Sequence, residues 1–107
     1  MSKIALVTGC SSGIGLQTAI DLAKNGYTTY ATMRNIDKKN KLEVGAQKAN
    51  VKLNIVQLDV SDDNSVSKVI DQIKNEHQRI DVLVNNAGYG LFGSIEGTSI
   101  EEFKEQI

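Results

Sequence analysis

The chain has no proline and no tryptophan, and neither absence carries a functional reading by itself. The other scarcities exclude more. A single cysteine, Cys10, cannot form an intrachain disulfide, which suits a reducing compartment. One histidine and one cysteine cannot build a metal site of the usual structural kind. Charge of one sign is missing too: 12 Lys and Arg against 13 Asp and Glu leave a formal net charge of -1. That balance gives no electrostatic reason to expect nucleic acid or a membrane surface as partner. No apolar run approaches the roughly 20 residues of a membrane span. The opening MSKIALVTG holds only four apolar residues after its lysine, too few for the apolar stretch of a signal peptide. The expected location is therefore cytoplasmic. Repeats and low-complexity tracts are absent as well. What is present, 107 residues of which 40% are hydrophobic and 23% charged, is the composition of one modest globular domain.

Periodicity orders the chain into alternating elements. IALV, within residues 3–8, is a continuous apolar run of the kind buried on both faces of a parallel sheet. Leu16, Ala19, Ile20 and Ala23 then fall on one helical face, and Asn25-Gly26 supplies a left-handed stop. Residues 27–33 (YTTYATM) are β-branched and aromatic and predict a second strand. Residues 37–49 are polar and lysine-rich and predict a solvated helix, followed by a third strand at 53–58 (LNIVQL). Val66, Val69, Ile70 and Ile73 repeat the helical spacing behind the capping cluster Ser61-Asp62-Asp63. Residues 80–84 (IDVLV) predict a fourth strand. Ser99-Ile100-Glu101-Glu102 reads as a capping box opening a last helix, with Ile100, Phe103 and Ile107 on one face. The alternation argues for an α/β fold, a parallel sheet with right-handed crossovers and helices on both faces.

Three glycines, in Thr8-Gly9-Cys10-Ser11-Ser12-Gly13-Ile14-Gly15, lie at the turn from the first strand into the first helix. A helix N-terminus there exposes free amides and a positive dipole, a natural seat for phosphate or pyrophosphate. Gly9 would permit the tight turn, Gly13 a close backbone approach and Gly15 close helix–sheet packing. The hydroxyls of Ser11 and Ser12 could reach phosphate oxygens. The competing reading is a glycine-rich turn with no ligand. No lysine follows Gly15, so the turn is not a nucleoside-triphosphate P-loop, and its GxxxGxG spacing is not GxGxxG either.

TGCSSGIG resembles the TGxxxGIG motif of the short-chain dehydrogenases/reductases, and Asn85-Asn86-Ala87-Gly88 resembles their NNAG motif. Leu58-Asp59-Val60 stands where that family places an aspartate near the adenine ring. The three motifs occur in the family's order, each at the end of a predicted strand, and the resemblance runs from Lys3 to Ile107. Together with YATMRN and NNAGYGLFG they look most like the branch of hydroxysteroid and retinol dehydrogenases. The resemblance implies a Rossmann-type doubly wound sheet of strand order 3-2-1-4. It implies a dinucleotide held by Gly9, Ser11, Ser12, Gly13, Ile14 and Gly15. Asp59 and the Val60 backbone would lie beside adenine; Asp59 read plainly is a helix-terminal charge. Asn86, Ala87 and Gly88 would line the ribose and nicotinamide side. Asn85 is expected to tie strand ends together, and Leu91 and Phe92, in YGLFG, to be core residues.

Cofactor choice rests on the end of the second strand. An acidic residue there would hold a ribose 2′-hydroxyl and repel a 2′-phosphate. Met33-Arg34 stands there instead, and a guanidinium binds phosphate bidentately, so NADP is expected over NAD. Lys38, Lys39 and Lys41 would add a favourable field, or simply face solvent. The family's tyrosine and lysine, four residues apart, are not found: Ala31, Arg34 and Gly93 follow Tyr27, Tyr30 and Tyr89 at that distance. The family's serine and asparagine are expected on elements past Ile107. Residues 1–107 thus read as an NAD(P)-binding domain truncated before the catalytic half of an oxidoreductase acting on a carbonyl or secondary alcohol, homo-oligomeric when complete. The alternative is a dinucleotide-binding or interaction module without catalysis. With four strands only, the fourth would be an open edge, and the segment is expected to be poorly stable or to associate. His77 is expected to be a surface residue and Cys10 a small neutral filler.

Overall fold

A computed structural model describes residues 3–86 and, by backbone only, residues 91–94. The elements run β1 (Ile4–Val7), α1 (Gly13–Lys24), β2 (Thr28–Met33), a 3₁₀ turn (Ile36–Lys38), α2 (Asn40–Ala49), β3 (Asn54–Gln57), α3 (Asp63–His77), β4 (Val82–Asn85) and β5 (Leu91–Ser94). Their order across the sheet is β3-β2-β1-β4-β5, the first four parallel.

All four residues of β1 are buried because helices cover both faces of the sheet. Strand alternation still sorts them. Ile4 and Leu6 join Tyr30, Val69, Ile70 and Ile73 in a core beneath α3, whereas Val7 joins Ala31, Met33, Ala19, Ile20 and Leu42 beneath α1 and α2. Burying a side chain such as Ile70, fully shielded from solvent, contributes roughly 1.5–3 kcal/mol. The helix ends follow their sequence signals. Gly26 leaves α1 at φ 90°, and α2 and α3 end on left-handed residues, Asn50 at φ 57° and Gln78 at φ 62°. At the amino ends of the strands, Asp81 locks β1 to β4: its carboxylate accepts the Ile4 amide at 2.7 Å while its own amide donates to the Ile4 carbonyl at 2.8 Å. Arg79 pairs with the same carboxylate.

The parallel four-strand order agrees with the sequence reading, and the boundaries move little. The strands shrink to residues 28–33 and 54–57, the fourth shifts to 82–85, and Arg34 lies one residue past β2 rather than on it. The predicted helix over 37–49 opens as the 3₁₀ turn and becomes α2 only at Asn40, with Leu42 and Ala46 buried. The open fourth edge is a correction. β5 pairs antiparallel with β4, Val82 opposite Ser94 and Asn85 opposite Leu91. An antiparallel neighbour needs only a short return, whereas a parallel one needs a crossover of roughly a dozen residues, so residues 91–94 can satisfy the β4 edge directly. The instability expected from that bare edge therefore loses its premise. The side chains of Leu91 and Phe92, with Ala87, Gly88 and the capping box at residues 99–102, lie outside the described residues.

Candidate functional site

The glycine turn sits where the strand order reverses, at the carboxyl ends of β1 and β4. Gly9 takes φ 70° and Gly13 φ 62°, a backbone region that only glycine occupies at no steric cost. Gly15 is fixed by space instead. A Cβ there would overlap the Gly9 carbonyl oxygen and stand 2.7 Å from Asn86 Nδ2. The same Asn86 amide donates to the Gly9 carbonyl at 3.3 Å, so β4 holds the turn from behind. Thr8 donates through its amide to Val84 and through its hydroxyl to Asn85 Oδ1 at 3.1 Å, which gives Asn85 the expected strand-tying role. The Cys10 amide donates to the Thr32 carbonyl at 2.9 Å, pinning the turn to β2.

Among the described residues, nothing occupies the front of the turn. Ser12 is the N-cap of α1 but makes no side-chain capping bond, and no acidic residue stands in the first helical turn. Among the described residues, no side chain caps the dipole end of α1. Beyond Gly13 there is open space where a side chain would project, and Ile14 is 70% exposed.

Two clefts open beside this turn. One, of about 450 Å³, is lined by Ser11, Arg34, Asn35, Lys38 and Gln57. Of the three lysines considered from sequence, only Lys38 lines it. The other, of about 670 Å³, runs between β3 and α3 from Arg34 and Asp59 past Ser65 and Lys68 to Gln72. Arg34 and Gln57 belong to both, and the Gln57 side-chain amide donates to the Arg34 carbonyl at 3.1 Å. Arg34 Nε lies 3.9 Å from Asp59 Oδ2. Asp59 Oδ1 accepts the Ser61 hydroxyl at 2.6 Å and the Ser61 amide at 3.0 Å, and the Asp59 amide donates to Ser65 Oγ at 2.9 Å. The Ser61 hydroxyl and amide hold the Asp59 carboxyl below its ordinary pKa; slight burial opposes them, and the Arg34 charge adds to them. Val60 packs half-buried against the core under α3.

The structure thus gathers Gly9, Ser11, Ser12, Gly13, Ile14, Gly15, Arg34, Asp59 and Asn86 at one edge of the sheet, Val60 being turned inward. Gln57 and Asn35 were not anticipated. Gln57 pairs in register with Met33, so a residue two places before Asp59 reaches the end of β2. Asn35 caps the 3₁₀ turn, its Oδ1 accepting the Asp37 amide at 3.0 Å, and an asparagine before a short polar turn is the signal that could have found it.

The weaker candidates resolve as structure. Cys10 is fully buried and burial pushes its thiol up to about 12, so it is the neutral filler rather than a nucleophile. His77 packs half-buried, edge-on against Tyr30 with ring centroids 5.9 Å apart, rather than standing free on the surface. Among the described residues no group of three or more His, Cys, Asp or Glu could hold a metal, and no helix is long and apolar enough to cross a membrane.

An open parallel α/β sheet with a glycine turn feeding an unspent helix N-terminus at its switch point defines a nucleotide-binding Rossmann-type protein. The chain belongs to the short chain dehydrogenase family, whose model matches residues 3–107. Human retinol dehydrogenase 8 is 47% identical over 102 residues, a match covering 92% of this chain and 32% of that protein. Estradiol 17-beta-dehydrogenase 1 of Rattus norvegicus is 41% identical over 101 residues, covering 89% of this chain and 29% of that protein. The crystal structure of an actinorhodin polyketide ketoreductase variant with NADPH is 29% identical with TM-score 0.73, over 97% of this chain and 40% of that one. These relatives place the chain in the hydroxysteroid and retinol dehydrogenase branch of a family that binds NAD(P). The chain spans about a third of the length of the curated relatives it matches.

Proposed function

We propose that residues 1–107 are the cofactor-holding domain of an NADP-dependent oxidoreductase that moves a hydride between a nicotinamide and a carbonyl or secondary alcohol. The observation that carries the preference is the smaller cleft. Arg34 and Lys38 bring two cations to it, Ser11 and Asn35 add polar groups, and among the described residues no carboxylate lines it. A ribose 2′-phosphate suits that donor set, through a planar guanidinium fork and a point charge. The NADPH named with the ketoreductase neighbour supports the reading.

The residues divide the work by position. Gly9 and Gly15 shape the turn, and the amides of residues 13–15 with the Ser11 and Ser12 hydroxyls hold a diphosphate against the positive end of α1. Ile14 covers it from the solvent side. Asp59, with the Val60 backbone, accepts the adenine amino group. Asn86, and Ala87 and Gly88 after it, line the ribose next to the nicotinamide. When bound, the dinucleotide supplies or accepts the hydride, and these side chains bind and orient it. The same reading makes the intact protein a cytoplasmic homo-oligomer, to be checked by fractionation and sedimentation.

Calorimetric titration of the intact protein tests the preference. NADPH should bind about tenfold or more tighter than NADH, the margin of charged hydrogen bonds to one phosphate. Equal affinities overturn the NADP preference, and binding of neither overturns the whole reading. At a hundredfold excess over its dissociation constant, NADPH should also raise stability by about 2.7 kcal/mol. Oxidation of NADPH on addition of ketones separates an enzyme from a module that only binds.

A further inference from the structure

Arg34 stands where the two clefts meet, and its ion-pair partner there is Asp59, Nε to Oδ2 at 3.9 Å. The two members of the pair are held very differently. The Arg34 side chain is 85% exposed, and it is only its backbone that Gln57 anchors. The Asp59 carboxylate is pinned at two points, by the Ser61 amide and the Ser61 hydroxyl, and its backbone amide donates to Ser65 Oγ. A fixed anion therefore faces a rotatable cation at the mouth of the phosphate-suited cleft.

We propose that Asp59 is a specificity-determining residue: its fixed negative charge draws Arg34 toward the larger cleft and opposes a 2′-phosphate in the smaller one, so the protein discriminates NADPH from NADH less sharply than Arg34 and Lys38 alone would allow. The proposal rests on the NADP reading above. A phosphate dianion beside Ser11 and Lys38 competes with Asp59 for the guanidinium and is repelled by the carboxylate itself. The exposed pair acts weakly in either direction, but Asp59 lines the larger cleft and not the smaller, so its pull on Arg34 is away from the 2′-phosphate. The Ser61 bonds hold the carboxyl below its ordinary pKa, so the charge is present at neutral pH. A role confined to adenine would touch both dinucleotides alike, since both carry adenine.

Asp59→Asn removes the charge and keeps an oxygen for the two Ser61 bonds, and any loss at adenine falls on both dinucleotides alike and cancels in their ratio. Dissociation constants for NADPH and NADH, and for 2′,5′-ADP and 5′-AMP, are measured on the intact protein by calorimetry. In the variant, both ratios should move about three- to fivefold toward the phosphorylated ligand at low ionic strength, the scale of an exposed charge pair. The shift should shrink in high salt and in an Arg34→Gln background. Asp59→Ser, which also keeps an oxygen acceptor, provides the same reading if Asp59→Asn does not fold. Ratios that stay fixed, or move toward NADH, overturn the proposal while leaving the NADP preference standing. A wild-type protein with no NADPH preference, unchanged by Arg34→Gln, overturns that reading and this proposal with it.

Discussion

Two strand-to-helix turns on the same edge of the sheet, residues 8–12 before α1 and residues 58–62 before α3, treat the free amides of their helices in opposite ways. The α3 turn satisfies its own. The Asp62 carboxylate accepts the amides of Asn64 and Ser65, Asp63 stands in the first helical turn, and Asp59 takes the Ser61 amide. Among the described residues, the α1 turn spends nothing at its front. Its N-cap serine makes no capping bond, its first turn has no acid, and its second glycine faces open space. Its anchoring among the described residues is at the back, through Thr8, Cys10 and Asn86. A helix end that caps itself is finished as structure; one braced only from behind keeps its dipole and amides for a guest.

Gly15→Ala should disturb that difference most. The added methyl meets the Gly9 carbonyl and the Asn86 amide, both fixed by the hydrogen bond between them. Overpacking costs roughly 1–3 kcal/mol, and a clash with backbone rather than a flexible side chain belongs at the upper end. Urea unfolding measures it, and a near-zero loss would show that the α1 turn can slide off β4. NADPH affinity should fall with it, since the turn cannot move without displacing its amides.

Arg34→Asp comes next and leaves the turns themselves intact. It should weaken NADPH by about tenfold or more with little effect on NADH. Lys38→Gln should do the same on a smaller scale, whereas Lys39→Gln and Lys41→Gln should do nothing, since neither residue lines the cleft. Equal losses for both dinucleotides would refute the phosphate role.

Exchanging the treatment of the two caps gives a smaller, crossed effect. Asp62→Ala should cost about 1 kcal/mol of stability through the lost cap and leave binding unchanged. Ser12→Ala should cost almost no stability, having no capping bond to lose, and should weaken dinucleotide binding a few-fold. Stability losses of the same size at both positions would erase the distinction between a finished and an open helix end.

The α3 turn was readable in advance because everything it uses is local: Ser61-Asp62-Asp63 caps residues no more than a few places on. The back of the α1 turn was readable in part. The glycines announce a tight path, yet the reason Gly15 must be glycine is Asn86, 71 positions later, and it appears only when β1 and β4 lie side by side. The smaller cleft was half legible. Arg34 declared itself as the cation following a neutral methionine in the acidic slot, but selecting Lys38 over Lys39 and Lys41 needed the 3₁₀ turn, and Gln57 needed the β2–β3 register. β5 was not legible as a strand, because LFGS lacks both the alternation and the continuous β-branched run of one. What makes it a strand is the unpaired edge of β4.

Acid should separate the two turns with the smallest effect. Asp59 is held below its ordinary pKa by bonds that exist only in the folded turn, so it binds its proton less readily folded than unfolded. Its contribution is therefore fully present above the ordinary carboxylate value and is lost as pH falls through the lower, folded one. The α1 turn holds nothing that titrates there, since its Cys10 thiol is pushed up to about 12. As pH is lowered toward 3, amide exchange at Ser61 should accelerate beyond the ordinary pH dependence of exchange, while the Cys10 amide, donated to Thr32, should not. Asp59→Asn should remove the Ser61 response, whose amide would then accept no benefit from ionisation. If Ser61 keeps its acid response in Asp59→Asn, some other group governs that turn, and the contrast between a carboxylate-built turn and a carboxylate-free one fails at its most local point.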